Sequence, residues 1–317
     1  MFTLADFEAA AGVVHAAMPP TPQYPWPLLA ARTGCRVLVK HENHTPTGAF
    51  KVRGGIFYCS RLPPGTAGLI SATRGNHGQS LAFAGGRHGL PVTILVPHGN
   101  STEKNAAMRA LGATLVEHGR DFQEAKDEAY RLARERGLQI VPPFHRDLVL
   151  GVGTYALELF RAAPDLDAVY VPIGMGSGIC GVIGVRDALG LSARVVGVQA
   201  EKAPSYALSF AAGHALSTET ADTIADGMAT RIPDPEAFEM IRRGADRIVT
   251  VTDEEIAEAM RAYYTDTHNL AEGAGAAPLA ALLKEREAMR GRKVGLILSG
   301  GNIDLALFHR LVGPRAA

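Results

Sequence analysis

Lys51 is the residue whose surroundings first suggest chemistry. It lies between the aromatic Phe50 and the β-branched Val52, after a turn at 45–48 and before a glycine pair at 54–55. A lysine kept partly out of water has a lowered pKa, because burial disfavours its charged form. Such an amine can act as a nucleophile and form a Schiff base with a carbonyl compound. On this segment alone, the alternative is a lysine at the start of a helix whose stem lies along the core surface.

A glycine-rich turn after an apolar segment is the second candidate. Residues 169–173 are apolar and lead into alternating glycines within 174–178, before a predicted helix. Glycines allow backbone N–H groups to converge on an anion at the positive end of a helix, so the turn predicts a phosphate site. The segment 176–181 also matches the glycine spacing of dinucleotide-binding proteins, with Glu201 after the next predicted strand. An NAD-dependent oxidoreductase that uses the 174–181 loop is therefore an open alternative.

Two further turns follow predicted strands in the same way. One is Thr-Arg-Gly-Asn-His at 73–77, and the other is Ser-Gly-Gly-Asn at 299–302. In an open parallel sheet such turns lie at the carboxyl edge of the strands, where ligands bind. Asn76 could either cap a helix or direct its amide at a ligand oxygen.

The composition is that of an ordinary globular protein and argues against several functions. The chain has 317 residues, of which 47% are hydrophobic and 20% charged, and 32 basic residues balance 32 acidic ones. This balance gives no support for binding to nucleic acid or to a membrane surface. The apolar runs are too short for a membrane span and the N-terminal segment is acidic, so we expect a cytoplasmic protein. His41 and His44 are three residues apart rather than four, and no metal site is predicted.

Short apolar strands alternate with helices, which predicts parallel sheets covered by helices on both faces. Strands are predicted at 36–40, 67–72, 91–96, 113–116, 138–141, 168–172, 194–200, 247–251 and 293–298. Helices are predicted at 3–15, 48–61, 76–88, 101–111, 121–136, 148–161, 178–189, 253–267, 273–290 and 302–311. Proline-rich residues 18–27 are predicted to be an extended connector, and residues 204–243 a less regular region. The fold class is α/β.

Four motifs stand in a fixed order: Thr-Gly-Ala-Phe-Lys-Val-Arg-Gly (47–54), Thr-Arg-Gly-Asn-His-Gly-Gln (73–79), Gly-Met-Gly-Ser-Gly (174–178) and Ser-Gly-Gly-Asn (299–302). Together they resemble the fold type II (tryptophan synthase β family) pyridoxal-phosphate enzymes, most closely the threonine/serine dehydratase branch. The resemblance implies two open, mostly parallel sheets flanked by helices. It also implies a large cofactor-binding domain, 1–46 and 147–317, with an inserted small domain, 47–146, that closes over the substrate.

The resemblance implies a role for each residue of these motifs. Lys51 would be the catalytic residue and would hold the aldehyde of pyridoxal 5'-phosphate as a Schiff base. Phe50 would pack beside the cofactor ring, Asn76 would bind the phenolic oxygen and Ser299 would face the pyridine nitrogen. The phosphate would lie on the backbone of Gly174, Met175, Gly176, Ser177 and Gly178. The substrate would contact Thr73, Arg74, Gly75, Asn76, His77 and Glu272.

The implied activity is that of a lyase. It would remove the β-hydroxyl of threonine, serine or a related 3-hydroxy amino acid and give a 2-oxo acid and ammonia. Lys51 would take the α-proton, and the leaving hydroxyl would be protonated with help from the cofactor phosphate. Alternatives are a 3-hydroxyaspartate or phenylserine-type dehydratase, an amino-acid racemase, or an amino-acid sensor that kept the scaffold. The expected partner is a small amino acid, and the expected assembly is a homodimer or a larger homo-oligomer.

The chain departs from the pattern of the relatives in three respects. Arg74 stands where racemising relatives carry serine. Because arginine is a poor base, this residue disfavours racemase activity. Its guanidinium group could instead bind an anionic group on the substrate. Gln199 and Ser205 stand where related branches carry a carboxylate pair for a divalent cation, which weakens any metal claim and also the 3-hydroxyaspartate alternative. Ala49 replaces the usual serine two residues before the lysine.

Overall fold

The structure is a computed structural model that describes residues 2–313. Its α-helices are α1 Leu4–His15, α2 Pro27–Thr33, α3 Lys51–Ser60, α4 Asn76–Arg87, α5 Thr102–Ala110, α6 Phe122–Arg136, α7 Arg146–Ala162, α8 Ser177–Ala188, α9 Ser205–Ala212, α10 Pro235–Gly244, α11 Asp253–Thr267, α12 Gly273–Lys284, α13 Arg286–Met289 and α14 Leu305–Val312. Its strands are β1 Gln23–Pro25, β2 Arg36–His41, β3 Leu69–Ala72, β4 Val92–Val96, β5 Thr114–Glu117, β6 Gln139–Ile140, β7 Ala168–Pro172, β8 Arg194–Ala200, β9 Arg247–Val251 and β10 Lys293–Leu298. Short 3-10 helices span Glu42–His44 and Asp226–Met228.

The larger of two sheets has six strands in the order β1-β2-β10-β7-β8-β9. All neighbours are parallel except β1, which runs antiparallel to β2 at one edge. The central strand β7 is buried along its whole length. A parallel strand covered by helices on both faces needs an apolar side chain at every position, and the run Ala-Val-Tyr-Val-Pro meets that need.

The smaller sheet has four parallel strands in the order β5-β4-β3-β6. Its strands all come from residues 69–140, whereas the larger sheet uses residues 23–41 and 168–298. The expected α/β class with two open, mostly parallel sheets is therefore confirmed. The boundary between the two sheets lies near the boundaries expected for the two domains. The division into domains itself stays a prediction. Residues 1 and 314–317 of the expected large domain lie outside the described chain.

Helix α3, which begins with Lys51, is tied to the larger sheet by a buried ion network. Arg53 is fully buried and donates to Glu42 Oε2 at 2.7 Å and to Glu158 Oε1 at 2.6 Å. Lys40 on β2 donates to the other oxygen of Glu158 at 2.5 Å. Burial opposes ionisation of Glu158, but Arg53 and Lys40 together lower its pKa to about 2. The network joins α3 to β2 and α7, so the start of α3 has a fixed position.

Several elements differ from the sequence-based expectation. The connector 18–27 contains the edge strand β1 and leads into α2, with Pro27 at the first helical position. The region 204–243 contains α9 and α10, so describing it as less regular was wrong for about half its length. Helix 273–290 is broken at Glu285, whose carboxylate binds Arg247 and Tyr170. Among the described residues, no helix is both long enough and apolar enough to cross a membrane.

Candidate active site

One cavity collects every residue for which the resemblance implied a catalytic, cofactor-binding or substrate-binding role. It lies where the β3–α4, β7–α8 and β10–α14 connections meet the start of α3. The expected residues that line it are Phe50, Lys51, Thr73, Arg74, Gly75, Asn76, His77, Gly174, Met175, Gly176, Ser177, Gly178, Glu272 and Ser299. Several other residues that line the cavity had no role expected from the sequence, among them Lys104, Phe122, Pro143, Asp226 and Thr230.

Lys51 presents its amine inside this cavity. Nζ donates to Ser177 Oγ at 2.9 Å and lies 5.0 Å from the centroid of the Phe50 ring. Burial lowers the pKa of Lys51 to about 8. The first turn of α3 carries no acidic residue that would stabilise the ammonium. A large fraction of the side chain is therefore neutral near pH 8 and can attack a carbonyl carbon.

The backbone that precedes Lys51 is held by the β10–α14 connection. The Phe50 N–H donates to the Ser299 carbonyl at 3.0 Å, and Ala49 forms an isolated antiparallel bridge with Gly300. Ala49, which lacks the hydroxyl of the relatives, is fully buried there. Ser299 is also buried, and its neutral hydroxyl lines the cavity. This contact explains why α3 begins at Lys51 rather than at residue 48.

The glycine-rich turn builds a cradle for an anion. Gly176 has a φ of 100°, which favours glycine, and α8 begins immediately afterwards at Ser177. A Cβ on Gly174 would lie 2.2 Å from the carbonyl oxygen of Gly227, so a side chain cannot be accommodated there. The first N–H groups of α8 have no partner within the helix, and Ser177 and Gly178, where the helix begins, line the cavity. The Lys51 amine and the cradle therefore fit a ligand with a carbonyl group at one end and a phosphate at the other.

Asn76 belongs to a chain of polar side chains on the opposite wall. Its Nδ2 donates to Glu272 Oε1 at 2.8 Å, and its Oδ1 accepts from Asn302 Nδ2 at 2.9 Å. Asn302 also donates to the carbonyl of Thr47 at 2.7 Å. Helix α4 has no side-chain hydrogen bond at its N-cap, so the capping role considered for Asn76 is not what the structure shows.

The 73–77 turn surrounds the start of α4. Thr73 Oγ1 accepts from the Gly75 N–H at 3.1 Å. Burial, together with the nearby Lys51 charge, lowers the pKa of His77 to about 3, so its ring is neutral near pH 7. Within residues 2–313, His77 Nε2 has no hydrogen-bond partner. Arg74 is exposed at the rim of the cavity and forms no ion pair or side-chain hydrogen bond in the described chain.

Lys104, Asp226 and Glu272 form a charged cluster in which only Glu272 was an expected site residue. Lys104 Nζ lies 2.6 Å from Asp226 Oδ2 and 3.6 Å from Glu272 Oε2. Burial alone would lower the pKa of Lys104, but Glu272 and Asp226 raise it. Burial and then Asp226 raise the pKa of Glu272 to about 7, against the opposing effect of Lys104. Because the three residues lie far apart in the chain, their spacing in the sequence did not indicate a cluster. Only the resemblance to the family drew attention to the segments that contain them.

Gln199 and Ser205, the two positions that were compared with a cation site, form hydrogen bonds to other residues of the chain. Gln199 Oε1 accepts from the Ala207 N–H at 2.8 Å, and Ser205 Oγ donates to the Thr230 carbonyl at 2.7 Å. No group of three or more metal-ligating side chains occurs in residues 2–313.

Comparison with known proteins agrees with this geometry. The family model described as "Pyridoxal-phosphate dependent enzyme" matches residues 14–300. An L-threonine ammonia-lyase of Thermotoga maritima is 35% identical over 98% of this chain and 78% of its own length. An L-threo-3-hydroxyaspartate ammonia-lyase of a Pseudomonas species is 34% identical over 92% of both chains.

Solved structures show the same architecture. The processed form of threonine deaminase isoform 2 from Solanum lycopersicum superposes with a TM-score of 0.92 at 30% identity, covering 97% of this chain and 91% of that one. Maize serine racemase also gives 0.92 at 26% identity, covering 97% and 96%. The open question about the 174–181 loop is thereby answered, because the cofactor is pyridoxal phosphate and not NAD. The chain belongs to the pyridoxal-phosphate-dependent enzyme family.

Proposed function

We propose that this chain is an ammonia-lyase that removes the β-hydroxyl of threonine or serine and produces a 2-oxo acid and ammonia. The observation that carries the proposal is the Lys51 amine, desolvated and 2.9 Å from Ser177 at the phosphate cradle. Relatives named as threonine ammonia-lyases, one of them 39% identical over 86% of this chain, support the choice of substrate.

The residues of the cavity fit each part of the cofactor. Lys51 would hold the aldehyde, and the backbone of Gly174–Gly178 would hold the phosphate. Asn76 would donate to the phenolic oxygen, Phe50 would pack beside the ring and Ser299 would face the ring nitrogen. When bound, pyridoxal phosphate supplies the electron sink that accepts the charge left at the α-carbon.

The residues of the chain position the substrate and transfer its protons. The first turn of α4, which begins at Asn76, offers backbone N–H groups without a partner in the helix to the substrate carboxylate. The Lys51 amine takes the α-proton, a role that suits a base with a pKa of about 8. The Ser299 hydroxyl is neutral and does not enforce protonation of the ring nitrogen, which favours prompt loss of the β-substituent.

The test is a comparison of the wild type with Lys51→Ala. The purified wild type should show an imine absorbance band that disappears on borohydride reduction, and should release 2-oxo acid from threonine or serine. Lys51→Ala should lack the band and lose at least ~10³-fold in kcat. Lys126→Ala, on the outer helix α6, is the matched control. Continued 2-oxo acid formation by Lys51→Ala would refute the proposed role.

A 3-hydroxyaspartate substrate is the second candidate, because Arg74 is a cation at the cavity rim without a partner in the described chain. A charge-assisted hydrogen bond to a second carboxylate contributes about 1.5–3 kcal/mol. Arg74→Ala should therefore lower kcat/KM for 3-hydroxyaspartate roughly 10- to 100-fold and leave that for threonine nearly unchanged. Equal losses on both substrates would contradict this role. A chiral assay of serine would test the racemase alternative.

The expected homo-oligomer and the cytoplasmic location stay predictions. Light scattering of the purified protein would measure its mass in solution directly. A mass equal to one chain would contradict the expected assembly.

A further inference from the structure

Glu272 occupies an unusual place for a carboxylate. It is the N-cap residue of α12, yet its side chain makes no hydrogen bond to that helix. Its Oε1 instead lies in a space left by Gly300, since a Cβ on Gly300 would be only 2.8 Å away. The side chain is only 3% exposed and lines the active-site cavity. The fold thus places a buried carboxyl group in the wall of the cavity that also holds the Lys51 amine.

One oxygen of this carboxyl has no hydrogen-bond partner within residues 2–313. Oε1 accepts from Asn76, but Oε2 is buried and unpaired. Lys104 Nζ is 3.6 Å from Oε2, beyond hydrogen-bond length, and lies closer to Asp226 at 2.6 Å. Two carboxylates therefore share one ammonium group, which leaves a negative charge uncompensated in a site with little water. A proton on Glu272 removes that charge.

The charges that act on Glu272 come from two elements. Lys104 on α5 lowers its pKa, while burial and Asp226 in the 3-10 helix raise it, and the outcome is about 7. The α4 side presents the neutral amide of Asn76, and the β10–α14 side presents the backbone at Gly300. Near neutral pH the group can therefore both hold and release a proton.

The cluster also connects the active site to a second opening. Lys104, Asp226 and Glu272 line both the active-site cavity and an adjoining cavity bounded by Ser101 and Asp304. Asp226 is about one-third exposed. A proton can thus reach Glu272 from solvent when a substrate fills the main entrance.

We propose that Glu272 is the general acid that protonates the leaving β-hydroxyl. The O–H bond of Glu272 breaks as the Cβ–O bond of the substrate breaks, so that the hydroxyl departs as water and Glu272 is left as a carboxylate. The α-proton is on Lys51 at that point, and Glu272 regains a proton from solvent through the adjoining cavity that it lines. This inference rests on the proposed function, and it assigns to the protein a step that the cofactor phosphate could otherwise perform.

The leaving group provides the test. Glu272→Gln keeps an oxygen that accepts from Asn76 but has no acidic proton. Wild type is first shown to form 2-oxo acid from threonine or serine; if it does not, the proposed function fails, whatever Glu272 does. Glu272→Gln should then lower kcat for threonine by ~10²-fold or more, while β-chloroalanine, whose chloride leaves without a proton, should react within a factor of about three of wild type.

The other outcomes overturn the proposal. Unchanged turnover of threonine would mean that the proton comes from elsewhere. An equal loss on β-chloroalanine, or weaker cofactor binding, would mean that Glu272 only positions Asn76.

A measurement independent of activity completes the test. Infrared difference spectra of wild type against Glu272→Gln, with and without cofactor, should show a carboxylic-acid band that disappears as the pH rises through about 7. Asp226→Asn should move this midpoint to lower pH, because the Asp226 charge helps to raise it. The absence of such a band in the wild type over this pH range would refute the acid role, and a midpoint that does not move would refute the coupling.

Discussion

The amine of Lys51 lies where local sequence and packing act together. Phe50 beside it is aromatic, and the first turn of α3 has no acid. The sequence therefore indicated a lysine with no neighbouring acidic residue in its helix turn to stabilise the charged ammonium form. How far its pKa falls depends on burial in the cavity, which is a tertiary effect.

The rate of cofactor capture should report that pKa. Only the neutral amine attacks an aldehyde, and lowering the pKa makes this form available at lower pH. Mixing cofactor-free protein with pyridoxal phosphate should give an imine band whose rate of appearance rises with pH through about 8 and then levels off. A free lysine would show a midpoint of about 10.4. A rate that still rises at pH ~10 would show that the amine is not desolvated.

At the scale of elements, α3 carries Lys51 at its first position and Arg53 one half-turn later. Arg53 is fully buried and satisfies Glu42 and Glu158 together. Removing one partner of such a network leaves charges buried without compensation. The stability of the chain and the position of the catalytic amine are therefore linked through this helix.

Arg53→Met should lower the free energy of unfolding by about 3–5 kcal/mol, because Glu42 and Glu158 would remain buried. Urea denaturation followed by circular dichroism measures the change. The matched control is Arg131→Met on α6, where the exposed arginine pairs with Glu128 and Glu135 and should contribute about 1 kcal/mol or less. Equal losses for the two variants would contradict the importance of the buried network.

At the scale of the whole molecule, the segment around α5 is bound to the start of α14 beside the second cavity. Ser101 Oγ lies 2.5 Å from Asp304 Oδ1, and the Leu305 N–H donates to Glu103 at 2.9 Å. Lys104 reaches Asp226 from the same helix. The first two contacts join residues about 200 positions apart and the third joins residues 122 positions apart, so they form only when the two sheets are together.

Asp304→Ala should loosen α5 without affecting distant elements. The loss of one hydrogen bond of about 1 kcal/mol should speed amide hydrogen exchange in Thr102–Ala110 roughly five-fold. Asp165→Ala is the control, because Asp165 pairs with Lys293 at another edge of the molecule. Unchanged exchange in α5 would show that other contacts hold the sheets together.

The elements that could be predicted from sequence are those with strong local signals. Strands β7, β8, β9 and β10 have the bounds expected of them. For β7, β8 and β10 the reason is that buried parallel strands are largely apolar runs, whereas β9 is a partly buried edge strand. Helix α10 was missed although Asp234 caps it and Pro235 stands at its first position. Ala237, Phe238 and Ile241 also recur at helical spacing and are buried, so the local signals for this helix were present and the prediction overlooked them.

The candidate site also has features that could be predicted from the sequence and features that could not. The sequence by itself determined the residue types at the strand ends, including the lysine, the glycine cradle and Asn76, because turns after buried strands depend on local backbone requirements. The tertiary structure alone decided that Lys104, Asp226 and Glu272 share one cluster and that Arg74 has no partner in the described chain. Proximity between distant segments, and the loss of water that shifts their pKa values, arise only when the two sheets pack around a common cavity.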